Sequence, residues 1–133
     1  MTMLTHINPA ALHSNPAFTQ AVRVSRAADL VYVGGQNGVD GSGAVVGPDL
    51  ASQARQALAN LQTCLTAAGT SIENVVKWTI LVREGEPLQD GFAAFGEVWG
   101  PRPNSPAITV AYVSGFAVPD AVVEIEAVAA AAG

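Results

Sequence analysis

The sequence predicts an α+β fold in the order ββαβαββ, a sheet with two helices most simply packed on one face. Three observations predict it. Stretches rich in β-branched residues recur at five places. Two longer stretches instead carry apolar residues at intervals of three and four. Glycine, proline and aspartate punctuate the joints between them.

The first strands lie in AVRVSRAADLVYVGGQ, with a turn expected at Ala27–Asp29 after a polar lead-in. Val22 and Val24 alternate with Arg23 and Ser25, the period of a half-exposed strand. Leu30 to Val33 form a more continuously apolar strand. It ends at Gly34-Gly35, where a backbone can approach another group closely. NGVDGSGAVVGPD is a glycine-rich run of turns, in which Asn37 and Asp40 are expected as turn residues rather than ligands. A phosphate loop is excluded there, since the segment has no lysine and no matching spacing.

Asp49 is placed to cap a long helix whose buried face is Leu50, Ala54, Leu58, Leu61 and Leu65, ending at Gly69. Val75–Val82 reads as the next strand. Pro87 opens a second helix running to about Trp99. Phe92, Phe95 and Trp99 share a face of it, which core packing explains more simply than a ligand box. GPRPNSP cannot be regular structure. Ala107–Val113 and Val122–Ala130 complete the strands, with Glu124 and Glu126 on one face of the last. Two alternating glutamates would ordinarily mark a solvated face. With no internal repeat and no linker, residues 1–133 read as a single domain.

Composition narrows the function. Charged residues are only 13% of the 133, against about 25% in ordinary globular proteins, which points to surface covered by self-association. Six basic residues are scattered among eleven acidic ones, for a net charge of −5, so nucleic acid is not expected as a partner. One cysteine excludes an internal disulfide. Cys64, in the helical stretch LQTCLTAAG, is expected as a buried small hydrophobe rather than a nucleophile. His6 and His13 sit together near the N-terminus, away from any other metal-ligand cluster. No basic-then-apolar leader is visible, and apolar runs fall far short of the ~20 residues a membrane span needs. No membrane partner is expected, and a cytoplasmic location is.

Three blocks carry a family resemblance: VYVGGQNGVDGSGAVVG, QARQALANLQTCLTAAGTSIENVVKWTILV and VPDAVVEIEAVA. In these, and in nearly its whole length, the chain resembles the Rid (YjgF-like) family of reactive-intermediate and imine deaminases. The resemblance implies a chorismate-mutase-like fold and a homotrimer binding small-molecule ligands at its subunit interfaces. It also implies hydrolysis of short-lived enamines and imines to a 2-oxo acid and ammonia, without a cofactor. Such a site must hold the substrate carboxylate, orient a water toward the imine carbon and deliver a proton to nitrogen.

Carried across, the family's water-orienting glutamate is Glu124. Gly35 matches the position whose backbone approaches the ligand, with Gly34 where a serine is usual, and Phe18 falls where a pocket tyrosine is usual. The carboxylate-clamping arginine of a P-A-R-S/T motif is replaced by Ser105, in Pro103-Asn104-Ser105-Pro106, and the family's asparagine on the second helix meets Phe92. The chain therefore resembles an arginine-lacking branch, since a hydroxyl offers one donor where guanidinium offers a fork. Arg102, three residues upstream and roughly 10 Å away if the chain is extended, is either a substitute clamp or an exposed loop arginine. The expected activity is imine or enamine hydrolysis with an atypical substrate. The alternatives are a non-catalytic trimer that binds a metabolite or acts as a chaperone-like module and, less in keeping with the acidic balance and an absence of histidine from the site region, a ribonuclease or translation inhibitor.

Overall fold

A computed structural model describes residues 3–133. The chain runs β1 (Leu4–Ile7), β2 (Ala21–Val24), β3 (Ala28–Gln36), α1 (Leu50–Ala67), a 3-10 turn (Ile72–Asn74), β4 (Val75–Arg83), α2 (Leu88–Trp99), β5 (Ala107–Val113) and β6 (Val123–Ala132). The expected order is present, preceded by one additional strand. The polar lead-in contains β1, which pairs antiparallel with β2, so β2 leaves the main sheet for a separate two-stranded ribbon. The reason is apolar. Leu4, Val22 and Val24 close over Val76 and Ala130, an association at long range in sequence. The turn after β2 falls at Arg26–Ala27, earlier than expected.

The main sheet has the order β3-β6-β4-β5, with β4 and β5 parallel and the other neighbours antiparallel. Both helices cover one face. Trp78, Ile80 and Val82 of β4 and Val123, Ile125 and Ala127 of β6 join Leu58, Leu61 and Leu65 of α1 in one core, against which Phe95 and Val98 of α2 pack. The alternate residues, among them Lys77, Thr79, Leu81, Glu124 and Glu126, therefore point to the opposite face. On that open face Leu30 and Tyr32 are 49% and 74% exposed.

Local chemistry terminates α1 as its sequence implies. The Asp49 carboxylate accepts the Ser52 backbone N–H at 3.0 Å. At the other end Gly69 takes φ +80°, Thr70 N–H donates to the Leu65 carbonyl and Gly69 N–H to that of Thr66, the paired bonds that close a helix on a left-handed residue. Cys64 is exposed, not buried as expected, because it follows the buried Leu61 by three residues but falls on the solvent side of Leu65.

One buried amide ties α1 to the sheet. Gln53 is wholly buried; its Nε2 donates to the Asp120 carbonyl at 3.0 Å and its Oε1 accepts the Val122 N–H at 2.8 Å. Asn37, expected as a turn residue, is also a brace: its Nδ2 donates to the Val123 carbonyl at 2.8 Å. Asp40 does serve its turn, accepting from Ser42 and Ala44.

Two outcomes follow. Gln53→Ala removes both bonds and leaves a void, so urea unfolding should show a loss of about 2–4 kcal/mol. The α1 cap carries a pH signature as well: the Ser52 N–H and hydroxyl hold the Asp49 carboxyl below its ordinary value of 3.8. Its stabilisation is complete above that ordinary value and is lost as pH falls through the lower folded one. Asp49→Asn keeps an acceptor but not the charge, so acid unfolding followed by circular dichroism should show a shallower loss of stability below pH 3.8 than the parent chain.

Candidate functional site

The first group of candidate residues meets where β3 ends. Between the pairs Val33–Ala127 and Gln36–Ile125, Gly34 and Gly35 stand opposite the single residue Glu126, so β3 bulges there. The bulge brings the Gly35 backbone against Glu124. A Cβ at position 35 would lie 2.8 Å from Cδ and 2.9 Å from Cγ of that glutamate. A larger residue at position 35 would thus displace the Glu124 side chain from this place. Glu124 is half-buried, and among the described residues no side chain pairs with its carboxylate. A carboxylate so placed can accept a proton or orient a water.

A second group lies in a cleft of about 650 Å³ between α2, the start of β5 and the 15–18 loop. Phe18, Phe92, Arg102 and Ser105 all line it. Its walls are apolar: Phe92, Phe95 and Trp99 from α2, with Ile80, Ile108 and Val110 from the helix side of β4 and β5. The aromatic stripe read from the sequence as core is therefore divided. Trp99 is buried and Phe95 packs edge-on against Trp78 at 5.4 Å, yet Phe92 remains 48% exposed at the cleft.

Ser105 and Arg102 already hold partners within the chain. Ser105 Oγ donates to the Pro16 carbonyl at 3.1 Å, and the Thr19 N–H donates to that of Pro106 at 3.0 Å, so the 15–18 loop is latched to the 103–106 segment. Arg102 Nη1 donates to the Val98 and Trp99 carbonyls at 3.0 and 2.6 Å, satisfying the end of α2, while Trp99 Nε1 returns a bond to the Arg102 carbonyl. Arg102 Nε donates to Glu73 at 3.1 Å. The Ser71 hydroxyl, the backbone N–H of Glu73 and this guanidinium hold the Glu73 carboxyl below its ordinary range. Arg102 is thus neither a free clamp nor a merely solvated loop residue; it caps a helix.

The two groups face away from each other within one chain. Glu124 pairs with Leu81 on the open face, whereas Ile80, the neighbour of Leu81, lines the cleft on the helix face. His13, read as remote from any site, lies tilted against Phe18 with ring centroids 5.8 Å apart, outside the cleft lining. Sequence reasoning also passed over Gly96, a cleft-lining residue inside α2. Its signal was a glycine within a helical aromatic stripe. Among the described residues, no cluster of His, Cys, Asp and Glu has metal-site geometry, and no helix is long and apolar enough to cross a membrane.

The family described as Endoribonuclease L-PSP matches residues 8–131. A rat protein named 2-iminobutanoate/2-iminopropanoate deaminase is 46% identical over 77 residues, which cover 57% of this chain and 52% of that protein. The chain thus spans about half the length of the mammalian relatives so named. The RutC family protein YjgH of Escherichia coli is 31% identical over 119 residues, covering 87% of this chain and 90% of the relative. In structure, a Rid-family protein of unknown function from Yersinia pestis superposes with a TM-score of 0.80 at 27% identity, over 96% of this chain and 98% of that one.

Removing the latch tests its role. Ser105→Ala should cost about 1 kcal/mol in unfolding free energy and speed amide hydrogen exchange at Phe18 and Thr19, with exchange in α1 unchanged.

Proposed function

The chain belongs to the Endoribonuclease L-PSP family, which includes the Rid and RutC proteins, and on that premise we propose that it is an imine or enamine deaminase with an atypical, uncharged substrate. The observation that carries the reading is the Glu124 carboxylate, set against Gly35 with no side-chain partner. In this reading Glu124 accepts a proton from a water as the water oxygen bonds to the imine carbon. The proton passes to nitrogen, giving a carbinolamine; its hydroxyl proton then moves through Glu124 to the same nitrogen as the C–N bond breaks and the C=O bond forms, and a carbonyl compound and ammonia leave. Glu124 ends as it began, and no cofactor enters the balance.

The cleft supports a substrate without a charged group. An ionised carboxylate entering it would shed water and find Ser105 bonded to Pro16 and two nitrogens of Arg102 bonded elsewhere. Phe18 and Phe92 supply contact surface instead.

The same proposal requires a second copy of the chain. Because Glu124 and the cleft lie on opposite faces of the sheet, one ligand meets both only where the open face of one subunit meets the cleft edge of the next. A homotrimer is the proposed assembly. The exposed Leu30 and Tyr32 and the low charge content support it. A cytoplasmic setting belongs to this proposal too, and the exposed thiol of Cys64 is compatible with a reducing compartment. The nuclease activity in the family's description is not adopted, because the chain carries a net charge of −5.

The test measures ammonia released from freshly generated 2-iminopropanoate and from the uncharged imine of acetone, with the parent chain, Glu124→Ala and buffer. The parent chain should favour the uncharged imine, and Glu124→Ala should lose about 100-fold or more of the acceleration. No acceleration over buffer with either imine refutes the enzyme and favours ligand binding alone. Sedimentation should give a trimer; a monomer would refute the shared site.

A further inference from the structure

We infer that the α2 cleft is a pocket for an aromatic ring borne by the substrate, and that Gly96 is the specificity-determining residue that keeps it open. This rests on the deaminase reading and names the substrate class of that same site.

The helix supplies one wall. Phe92, Phe95, Gly96 and Trp99 fall at i, i+3, i+4 and i+7, so all four turn toward the cleft. Phe95 and Trp99 stack 6.5 Å apart with planes 6° from parallel, and Phe95 is held edge-on by Trp78. Their orientations are set before any ligand arrives. Ile80, Ile108 and Val110 line the same cleft from the sheet. A flat apolar group against such walls gains area burial and ring–ring contact, while a small aliphatic group fills little of the space. The cleft volume of about 650 Å³ lies within the roughly 300–1,000 Å³ of small-molecule sites.

Gly96 has no other structural reason to be glycine. It lies inside a helix, where glycine is worse than alanine. A Cβ there would meet nothing within 4 Å, and its φ is not positive. Gly91 is the contrast on the same helix: a Cβ there would press on Leu50 Cδ2 at 3.2 Å. A residue whose side chain would enter only open cleft space is kept small for the benefit of what enters that space.

The probe is acetophenone, the uncharged product of hydrolysing the corresponding aryl ketimine, titrated into the full chain by isothermal calorimetry. Acetone, which lacks the ring, and benzoate, which carries a charge, are the comparisons. Acetophenone should bind saturably, and each comparison about tenfold or more weakly. Gly96→Leu should weaken acetophenone by about tenfold or more while leaving the melting temperature unchanged or higher. If Gly96→Leu melts lower, Phe92→Ala, which trims an exposed ring, carries the same threshold. Equal binding of acetone or benzoate, or undiminished acetophenone binding in the variant that melts normally, overturns the inference. The two readings fail separately. Acetophenone binding that meets these criteria, without Glu124-dependent ammonia release from its ketimine, supports the pocket and refutes the deaminase. Ammonia release from acetone imine with no acetophenone binding refutes the pocket and leaves the deaminase standing.

Discussion

The site depends on two amides buried between α1, β3 and β6. Gln53 receives the Val122 N–H and donates to the Asp120 carbonyl, and Asn37 donates to the Val123 carbonyl. An amide inside a core is costly unless its donors and acceptors are matched, so these bonds admit little variation in where the chain enters β6. Glu124 is the next residue. On the β3 side, a Cβ at Gly38 would stand 2.6 Å from Gln53 Cα, so the chain leaving β3 lies directly on the helix. One brace therefore positions both the Gly35 bulge and the glutamate it touches.

A second constraint shapes the cleft, and it is one of prior commitment. Arg102 has the charge a carboxylate would need, yet its guanidinium closes the carbonyl end of α2 and pairs with Glu73. Releasing it for a ligand would leave the terminal carbonyls unsatisfied. Ser105, at the position where relatives resembling this chain are expected to carry arginine, holds the 15–18 loop instead. The short hydroxyl at this position serves as a latch, with its Oγ bonded to the Pro16 carbonyl. The walls that remain are hydrocarbon and aromatic.

Local sequence rules were sufficient wherever a feature is decided within a few residues. The α1 cap at Asp49, its end at Gly69 and the bounds of β5 follow from side-chain and backbone chemistry close by. The face that carries Glu124 follows from strand alternation, and the family follows from motif spacing. The strand β1 was missed because LTHI has no alternating pattern of its own; it is a strand because Val22, Val24, Val76 and Ala130 give Leu4 a place to pack. Cys64 was misjudged for a related reason. One helix turn separates a buried side from an exposed one, and a small apolar residue near that border gives no periodic signal.

What the sequence by itself determined, then, is the α+β class, the family and the identity of Glu124, Gly35, Phe18, Phe92, Arg102 and Ser105 as residues to examine. The class follows from periodicity and turn chemistry, which are local in the chain, and the family and these residues follow from the resemblance of its motifs to Rid proteins. Only the tertiary structure decided what those residues are free to do. It committed Arg102 to a helix end and Ser105 to Pro16, opened the space beside Gly96, and set Glu124 and the cleft on opposite faces of one sheet. Those outcomes turn on partners brought together across the fold, 89 residues apart in the case of Ser105 and Pro16. A pattern of residue types cannot show which hydrogen-bonding groups are already spent, because that is decided by packing at distances the pattern does not encode.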